Sequence, residues 1–229
     1  MNSKNRYAVI VAGGSGSRMA TEIPKQFLLL NGLPVLMHTI AKFSEVGCEQ
    51  IIVVLPASQI EYWKALCEQY AFSISHQVVE GGSTRFDSVK NGLLSIKIRE
   101  GLVAIHDGVR PCIKPLTIIN GYQHAQNEGC AIAAVRPKDS LRLQQQDGST
   151  LSVDRAKYYC VQTPQIFYTN EIVQVYEQTT SNHFTDDAAV YESAGFKVSL
   201  FEGDYENIKI TTPEDLLLAA ILLNCKFKS

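Results

Sequence analysis

The chain has 229 residues, 45% of them hydrophobic and 19% charged, a length that fits one large domain or two small ones. Its 21 Lys and Arg stand against 23 Asp and Glu, and a net charge of −2 excludes a strongly basic nucleic-acid binder and an acidic solvating tail. This much apolar material buries a sizeable core, which also excludes a disordered chain. Residues 7–11 and 51–55 read as buried strands, each an apolar run closed by a turn signal. Between them, residues 34–46 place Val35, Leu36, Ile40, Phe43 and Val46 on one helical face. A second helix is predicted over 58–70, with Ser58 as N-cap and Glu61 completing a capping box. Ser83 or Thr84 caps the next, which carries Val89, Leu93, Leu94 and Ile96. A strand over 102–106, a helix over 115–128 ending at Gly129 and a strand over 130–135 follow.

This alternation predicts an α/β fold, a mostly parallel sheet with helices on both faces. Such sheets bind ligands outside the carboxyl ends of their strands, which directs attention to the loops after Val11, Leu55, Val79 and His106. Of these, the loop after Leu55 alone carries no unusual residue. The rhythm breaks over 138–157, where polar and aliphatic residues alternate from Ser140 to Asp154 and turn at Asp147-Gly148, a hairpin signal. Leu141, Leu143, Leu151 and Val153 make a thin apolar stripe. A lone two-stranded hairpin is marginal in water, so this one is expected to lean on something, such as another subunit. After a return to helix and strand, a last helix covers 213–224. The whole chain, 1–229, reads as one domain with 138–157 as a projecting arm.

The first loop, Ala12-Gly13-Gly14-Ser15-Gly16-Ser17-Arg18, leads to Pro24-Lys25-Gln26-Phe27. Its glycines let backbone N–H groups approach a phosphate, and Arg18 and Lys25 add two cations. It is no Walker loop, since Ser17-Arg18 stands where Lys-Ser/Thr is required, and Met19 breaks the dinucleotide fingerprint. Gly81-Gly82-Ser83-Thr84-Arg85 opens a helix, a weaker anion-binding signal that a plain strand-to-helix turn equally explains. His106-Asp107-Gly108-Val109-Arg110 closes a strand: Asp107 suits a metal or a hydroxyl, Arg110 a phosphate or Asp107 itself, and His106 reads as structural. Thr212 and Pro213 look like N-cap and N1 of the last helix. Lys209 interrupts an apolar strand and faces either solvent or the cleft.

Cys48, Cys67, Cys112, Cys130, Cys160 and Cys225 are scattered without zinc-type spacing, so buried reduced thiols are expected. The polar first six residues do not resemble a signal peptide, and the late apolar run over 216–223 is far below the ~20 residues of a bilayer span. A cytoplasmic protein without membrane or nucleic-acid partners is the expectation.

Together, the Gly-rich loop through Arg18, Pro24-Lys25-Gln26-Phe27, Gly81-Gly82…Arg85…Ser88-Val89, His106-Asp107…Arg110-Pro111, Val153-Asp154-Arg155, Thr163-Pro164-Gln165, Thr185-Asp186 and Asn207-Ile208-Lys209 resemble the 2-C-methyl-D-erythritol 4-phosphate cytidylyltransferase family. The motifs run in the family's order over nearly the whole chain. The resemblance implies a single Rossmann-like nucleotidyltransferase domain, a homodimer made through the arm, and cytidylyl transfer from CTP to methylerythritol phosphate with Mg²⁺. It assigns Arg18 and Lys25 to the triphosphate, with Ala12, Gly13, Gly14 and Gly16 in the same loop. Gly82, Ser83, Arg85 and Ser88 fall to the base and Gly108 to the ribose. Asp107, Arg110, Ser140, Arg155, Thr163, Thr185 and Lys209 surround the acceptor, with Arg155 and Lys209 positioning it. The sequence departs from the family in Ala12-Gly13-Gly14 for a common Ala-Ala-Gly, Ser83 for an acid in some members, and Gly108-Val109 for a common Ala-Ala. The rival readings are a ribitol-5-phosphate cytidylyltransferase and a non-catalytic nucleotide-binding regulator.

Overall fold

The computed structural model describes residues 5–14 and 23–224. In chain order, β1 (Arg6–Val11) is followed by a short ribbon of β2 (Leu29–Leu30) and β3 (Leu33–Pro34), then α1 (Val35–Glu45), β4 (Gln50–Leu55), α2 (Ala57–Gln69), β5 (Gln77–Glu80) and α3 (Arg85–Leu94). The middle holds β6 (Leu102–Asp107), α4 (Pro115–Glu128), β7 (Cys130–Val135) and the hairpin of β8 (Leu141–Gln144) with β9 (Thr150–Val153). It closes with β10 (Cys160–Tyr168), α5 (Thr169–Gln178), α6 (Asp187–Ser193), β11 (Leu200–Glu202) and α7 (Pro213–Asn224).

Seven strands form one sheet in the order β11-β7-β10-β6-β1-β4-β5. The strands are parallel except β10, which runs antiparallel between β6 and β7. Period-two alternation sorts each central strand between the two faces. Ala8 and Ile10 of β1, with Ile51, Val53 and Leu55 of β4, pack against Leu36, Phe43, Trp63 and Tyr122 of α1, α2 and α4. Tyr7 and Val9, with Ile52 and Val54, face Phe86, Leu93, Ile172 and Tyr176 of α3 and α5. A strand covered on both faces has no polar side, which is why these runs are continuously apolar.

Several local expectations need correcting. The N-cap of α2 is Pro56, without a side-chain bond, so Ser58 and Glu61 form no capping box. Thr84 does cap α3, with Asp87 completing the box. Residues 207–210 form no strand; Ile210 N–H donates to the Val109 carbonyl at 2.9 Å and ties that segment to the β6 loop. The described cysteines are free, but Cys160 is exposed and Cys48 and Cys67 only half-buried; Cys225 lies outside the described residues. The hairpin forms a two-stranded sheet of its own, with Leu143 and Leu151 more than half exposed. Among the described residues, no helix is long and apolar enough to cross a membrane.

Helix and sheet approach each other closely at Gly92 in α3. A Cβ there would stand 2.6 Å from Val9 Cγ1 and 2.8 Å from Val54 Cγ2, both on fully buried strand residues. Overpacking costs about 1–3 kcal/mol, and the better helix propensity of alanine offsets about 1 kcal/mol of it. Gly92→Ala should therefore lower the urea midpoint; a midpoint at or above that of the parent chain would show that α3 lifts off the sheet freely.

Candidate active site

The carboxyl ends of β1, β4 and β6 open into a cavity of about 260 Å³. Ala12, Gly13 and Gly14 line it after β1, Pro56 after β4, and Asp107 and Val109 around the end of β6. Gly82, Ser83, Arg85 and Ser88 at the start of α3, with Lys25 and Lys209, complete the wall. A second cavity of about 230 Å³ shares Arg85, Asp107 and Lys209 with the first and adds Arg110, Thr163 and Thr185.

The glycine loop is shaped from beneath. Ala12 N–H donates to the Val54 carbonyl at 3.0 Å, and the buried Gln26 donates from Nε2 to the Ala12 carbonyl at 2.8 Å and to Gln59 Oε1 at 2.6 Å. Side chains on Gly13 and Gly14 would meet nothing closer than Pro56 at 3.9 Å and Lys25 Cε at 3.5 Å. Among the described residues, packing does not demand glycine there, whereas a ligand approaching the backbone would. Gln26 stands inside a quoted motif, but its neighbours in sequence carry no sign of this clamp. The loop after Leu55, which looked unremarkable, supplies Pro56 to the wall.

At α3 the helix N-terminus is already filled. Asp87 accepts from Thr84 N–H at 3.1 Å and from the Ser83 and Thr84 hydroxyls at 2.8 Å each. A phosphate there would meet that carboxylate, which counts against anion binding at this helix start. Ser88 Oγ accepts from Gly82 N–H at 3.1 Å, and a Cβ on Gly82 would stand 2.2 Å from Asp87 Cβ, so no larger residue fits.

Asp107 is the hub of the shared wall. Lys209 Nζ and Arg110 Nε each lie 3.1 Å from its Oδ2, and Arg85 Nε lies 4.0 Å from Oδ1. Burial pulls its pKa upward, but Lys209, Arg110 and Arg85 outweigh burial and hold the carboxyl well below the usual range. Arg110 also donates from Nη1 to the Asn207 carbonyl at 2.8 Å, and Asn207 Nδ2 donates to the Thr163 carbonyl at 2.7 Å. Thr163 Oγ1 accepts from Asp107 N–H at 3.0 Å. Lys209 thus faces the cleft, held by the irregular segment 207–210.

Other sequence candidates fall elsewhere. Gly108 lines neither cavity: its N–H donates to the Val11 carbonyl and its carbonyl accepts from Thr39 Oγ1. A Cβ there would press on Ala12 Cβ at 2.9 Å and Leu36 Cδ1 at 3.0 Å, so the glycine serves packing. Ser140 and Arg155 are exposed at the foot of the hairpin, Arg155 donating to the Lys138 carbonyl, and neither reaches either cavity of its own chain. Gly16 and Arg18 lie outside the described residues. Sequence reasoning gave no role to Asp187, wholly buried, which takes the Arg85 guanidinium in a two-pronged ion pair.

His106 is structural, as expected. It is fully buried against Phe43, with ring centroids 5.0 Å apart, and burial pushes its imidazole down to about 3. The folded value lies below the unfolded one, so the unfolded chain binds a proton first. Stability contributed by neutral His106 is complete above pH ~6.5 and lost as the pH falls toward 3, by up to about 1.4 kcal/mol per pH unit. Urea unfolding between about pH 7 and pH 5 should show this slope, and His106→Gln should flatten it. An unchanged slope in the variant would assign the acid sensitivity to other groups.

The family model described as IspD, 2-C-methyl-D-erythritol 4-phosphate cytidylyltransferase, matches residues 7–225. A protein of that name from Porphyromonas gingivalis is 50% identical over 223 residues, covering 96% of this chain and 98% of its own. The one from Azobacteroides pseudotrichonymphae is 47% identical, covering 96% and 100%. Among solved structures, the 4-diphosphocytidyl-2C-methyl-D-erythritol synthase of Anaerococcus prevotii superposes with a TM-score of 0.83 at 30% identity, covering 97% of this chain and 99% of that one. With sequence and fold agreeing over almost its full length, the chain belongs to the 2-C-methyl-D-erythritol 4-phosphate cytidylyltransferase family.

Proposed function

We propose that the chain transfers a cytidylyl group from CTP to 2-C-methyl-D-erythritol 4-phosphate and releases pyrophosphate, a step toward isoprenoid precursors by the non-mevalonate route. The observation that carries this reading is the pair of adjoining cavities with Arg85, Asp107 and Lys209 as their common wall. One accommodates a nucleotide over the glycine loop, the other a phosphorylated polyol, and the reacting phosphates meet at a cationic seam.

The reaction is an in-line displacement. An oxygen of the acceptor phosphate bonds to the α-phosphorus of CTP while the bond to the β-phosphate oxygen breaks, and the electron pair leaves with pyrophosphate. The acceptor phosphate is already an anionic nucleophile, so no general base is required; positioning and charge stabilisation remain. Lys25, beside Gly14, serves the triphosphate, the role that the resemblance also gives Arg18, which lies outside the described residues. Lys209, on Asp107, serves the α-phosphoryl group and the acceptor. Arg110, Thr163 and Thr185 form the polyol side, and the Gly82–Ser88 segment faces the base.

Among the described residues no group of three His, Cys, Asp or Glu side chains could cage a metal. Asp107, the carboxylate in the wall of the first cavity, is an oxygen donor of the kind Mg²⁺ prefers and would hold such an ion. When bound, the ion would offset the negative charge of the triphosphate. Free thiols suit a cytoplasmic setting.

The exposed Leu143 and Leu151 support a homodimer in which paired hairpins bury each other's stripe. Arg155, remote from its own cavities, then serves the partner's acceptor site, along with Ser140.

Pyrophosphate release from CTP and Mg²⁺, with methylerythritol phosphate and ribitol phosphate offered side by side, tests the reaction. Methylerythritol phosphate should be the better acceptor, and Lys209→Ala should lose about 10²–10³ in turnover with its circular dichroism intact. Equal rates with ribitol phosphate would overturn the acceptor assignment, and a fully active variant would remove Lys209 from the mechanism.

Subunit exchange tests Arg155. Arg155→Ala and Lys25→Ala, each nearly inactive alone, should regain activity on mixing, to roughly half the parent level per heterodimer, because one of two sites is then intact. No recovery after confirmed exchange would return Arg155 to its own subunit.

A further inference from the structure

Arg85 lines both cavities, and its guanidinium is held end-on by a side chain that touches neither substrate space. Nη1 and Nη2 donate to Oδ1 and Oδ2 of Asp187 at 2.9 and 2.7 Å. This fork leaves Nε–H outside the pair, on the side of Asp107, whose Oδ1 lies 4.0 Å from Nε. Asp187 is itself oriented. The Tyr176 hydroxyl donates to its Oδ1 at 2.6 Å, and the Tyr176 ring stacks at 4.7 Å on Phe86, the neighbour of Arg85. Its backbone is fixed by the start of α6, where the Asp186 carboxylate caps the helix at Ala189 N–H. Burial works against the charge of Arg85, but Asp187 outweighs it and keeps the guanidinium ionised.

A two-pronged pair with a wholly buried carboxylate fixes direction as well as distance, unlike an exposed ion pair. The Arg85 side chain nevertheless keeps 28% exposure, all the contact it needs with a ligand in the cleft. Lining both cavities, it is placed at the boundary where charge develops between donor and acceptor, beyond the base-facing part of its segment. We propose that Asp187, oriented by Tyr176, is a positioning residue that holds the Arg85 guanidinium on the seam between the two cavities, beside the phosphoryl group in transit. The inference rests on the reaction proposed above. A donor held in place before reaction, aimed at charge that grows in the transition state, acts on kcat more than on KM.

The test uses the full chain, CTP, Mg²⁺ and methylerythritol phosphate. Asp187→Asn keeps the shape and removes the charge; it should lower kcat by about 10- to 100-fold while KM for CTP moves less than about three-fold. Tyr176→Phe keeps the stack on Phe86 and should cost about 3- to 10-fold in kcat. In an Arg85→Ala background, each substitution should change kcat by less than about two-fold, because each acts through Arg85. Losses that multiply in that background, or a lower Tm with kcat unchanged, would overturn the proposal. If Asp187→Asn does not fold, the cycle of Tyr176→Phe with Arg85→Ala decides alone. A parent chain that releases no pyrophosphate overturns the reaction and this inference together; an active parent with multiplying losses overturns this inference only.

Discussion

At the end of β6 a buried carboxylate is surrounded by three cations from three parts of the chain, and the site is assembled around it. Asp107 meets Arg110 from its own loop, Lys209 from the segment before α7, and Arg85 from α3. The carboxylate could not stand there charged and unpaired, nor could the cations crowd together without it. An unpaired buried carboxylate would take up a proton, and gathered cations would repel one another. The three cations keep Asp107 charged, and Asp107 in turn gathers them in one place, which in the proposed reaction presents them to phosphates already in position.

The same network explains why the irregular segments are ordered. Arg110 reaches the Asn207 carbonyl, Asn207 reaches Thr163, and Thr163 returns to the Asp107 backbone. That circuit joins the β6 loop, β10 and the segment before α7, and none of these three could place Lys209 or Thr163 without the other two. Its members are wholly or largely buried, where a hydrogen bond lost without replacement costs more than at the surface.

What the sequence made legible follows from how local each signal is. The helix over 115–128 and its end at Gly129, the strand over 130–135 and the hairpin turn at Gly148 were readable because proline, glycine and alternation act within a few residues. The glycine loop and Asp107 were readable because they interrupt or end apolar strands. The clamp of Gln26 on Ala12 and the pairing of Arg85 with Asp187, 102 positions apart, were not, because nothing near either residue announces its partner. Gly108 shows a related ambiguity: beside Asp107, a glycine required by packing looks like one required by a ligand. Ser58 failed as a cap because Pro56 already sets the entry to α2.

The antiparallel β10 has a bearing on how the molecule comes into being on the ribosome. β7 and β11 join the rest of the sheet only through β10, so one edge of β6 has no neighbour until residue 168 has been made. The glycine loop, the start of α3 and Asp107 belong to the first half of the chain, whose strands can pair as they emerge. Thr163, Thr185, Asp187 and Lys209 belong to the second. Most of the first cavity's wall is therefore synthesised early, while Thr163, Thr185 and the Lys209 that both cavities share come last, together with the Asp187 that fixes Arg85.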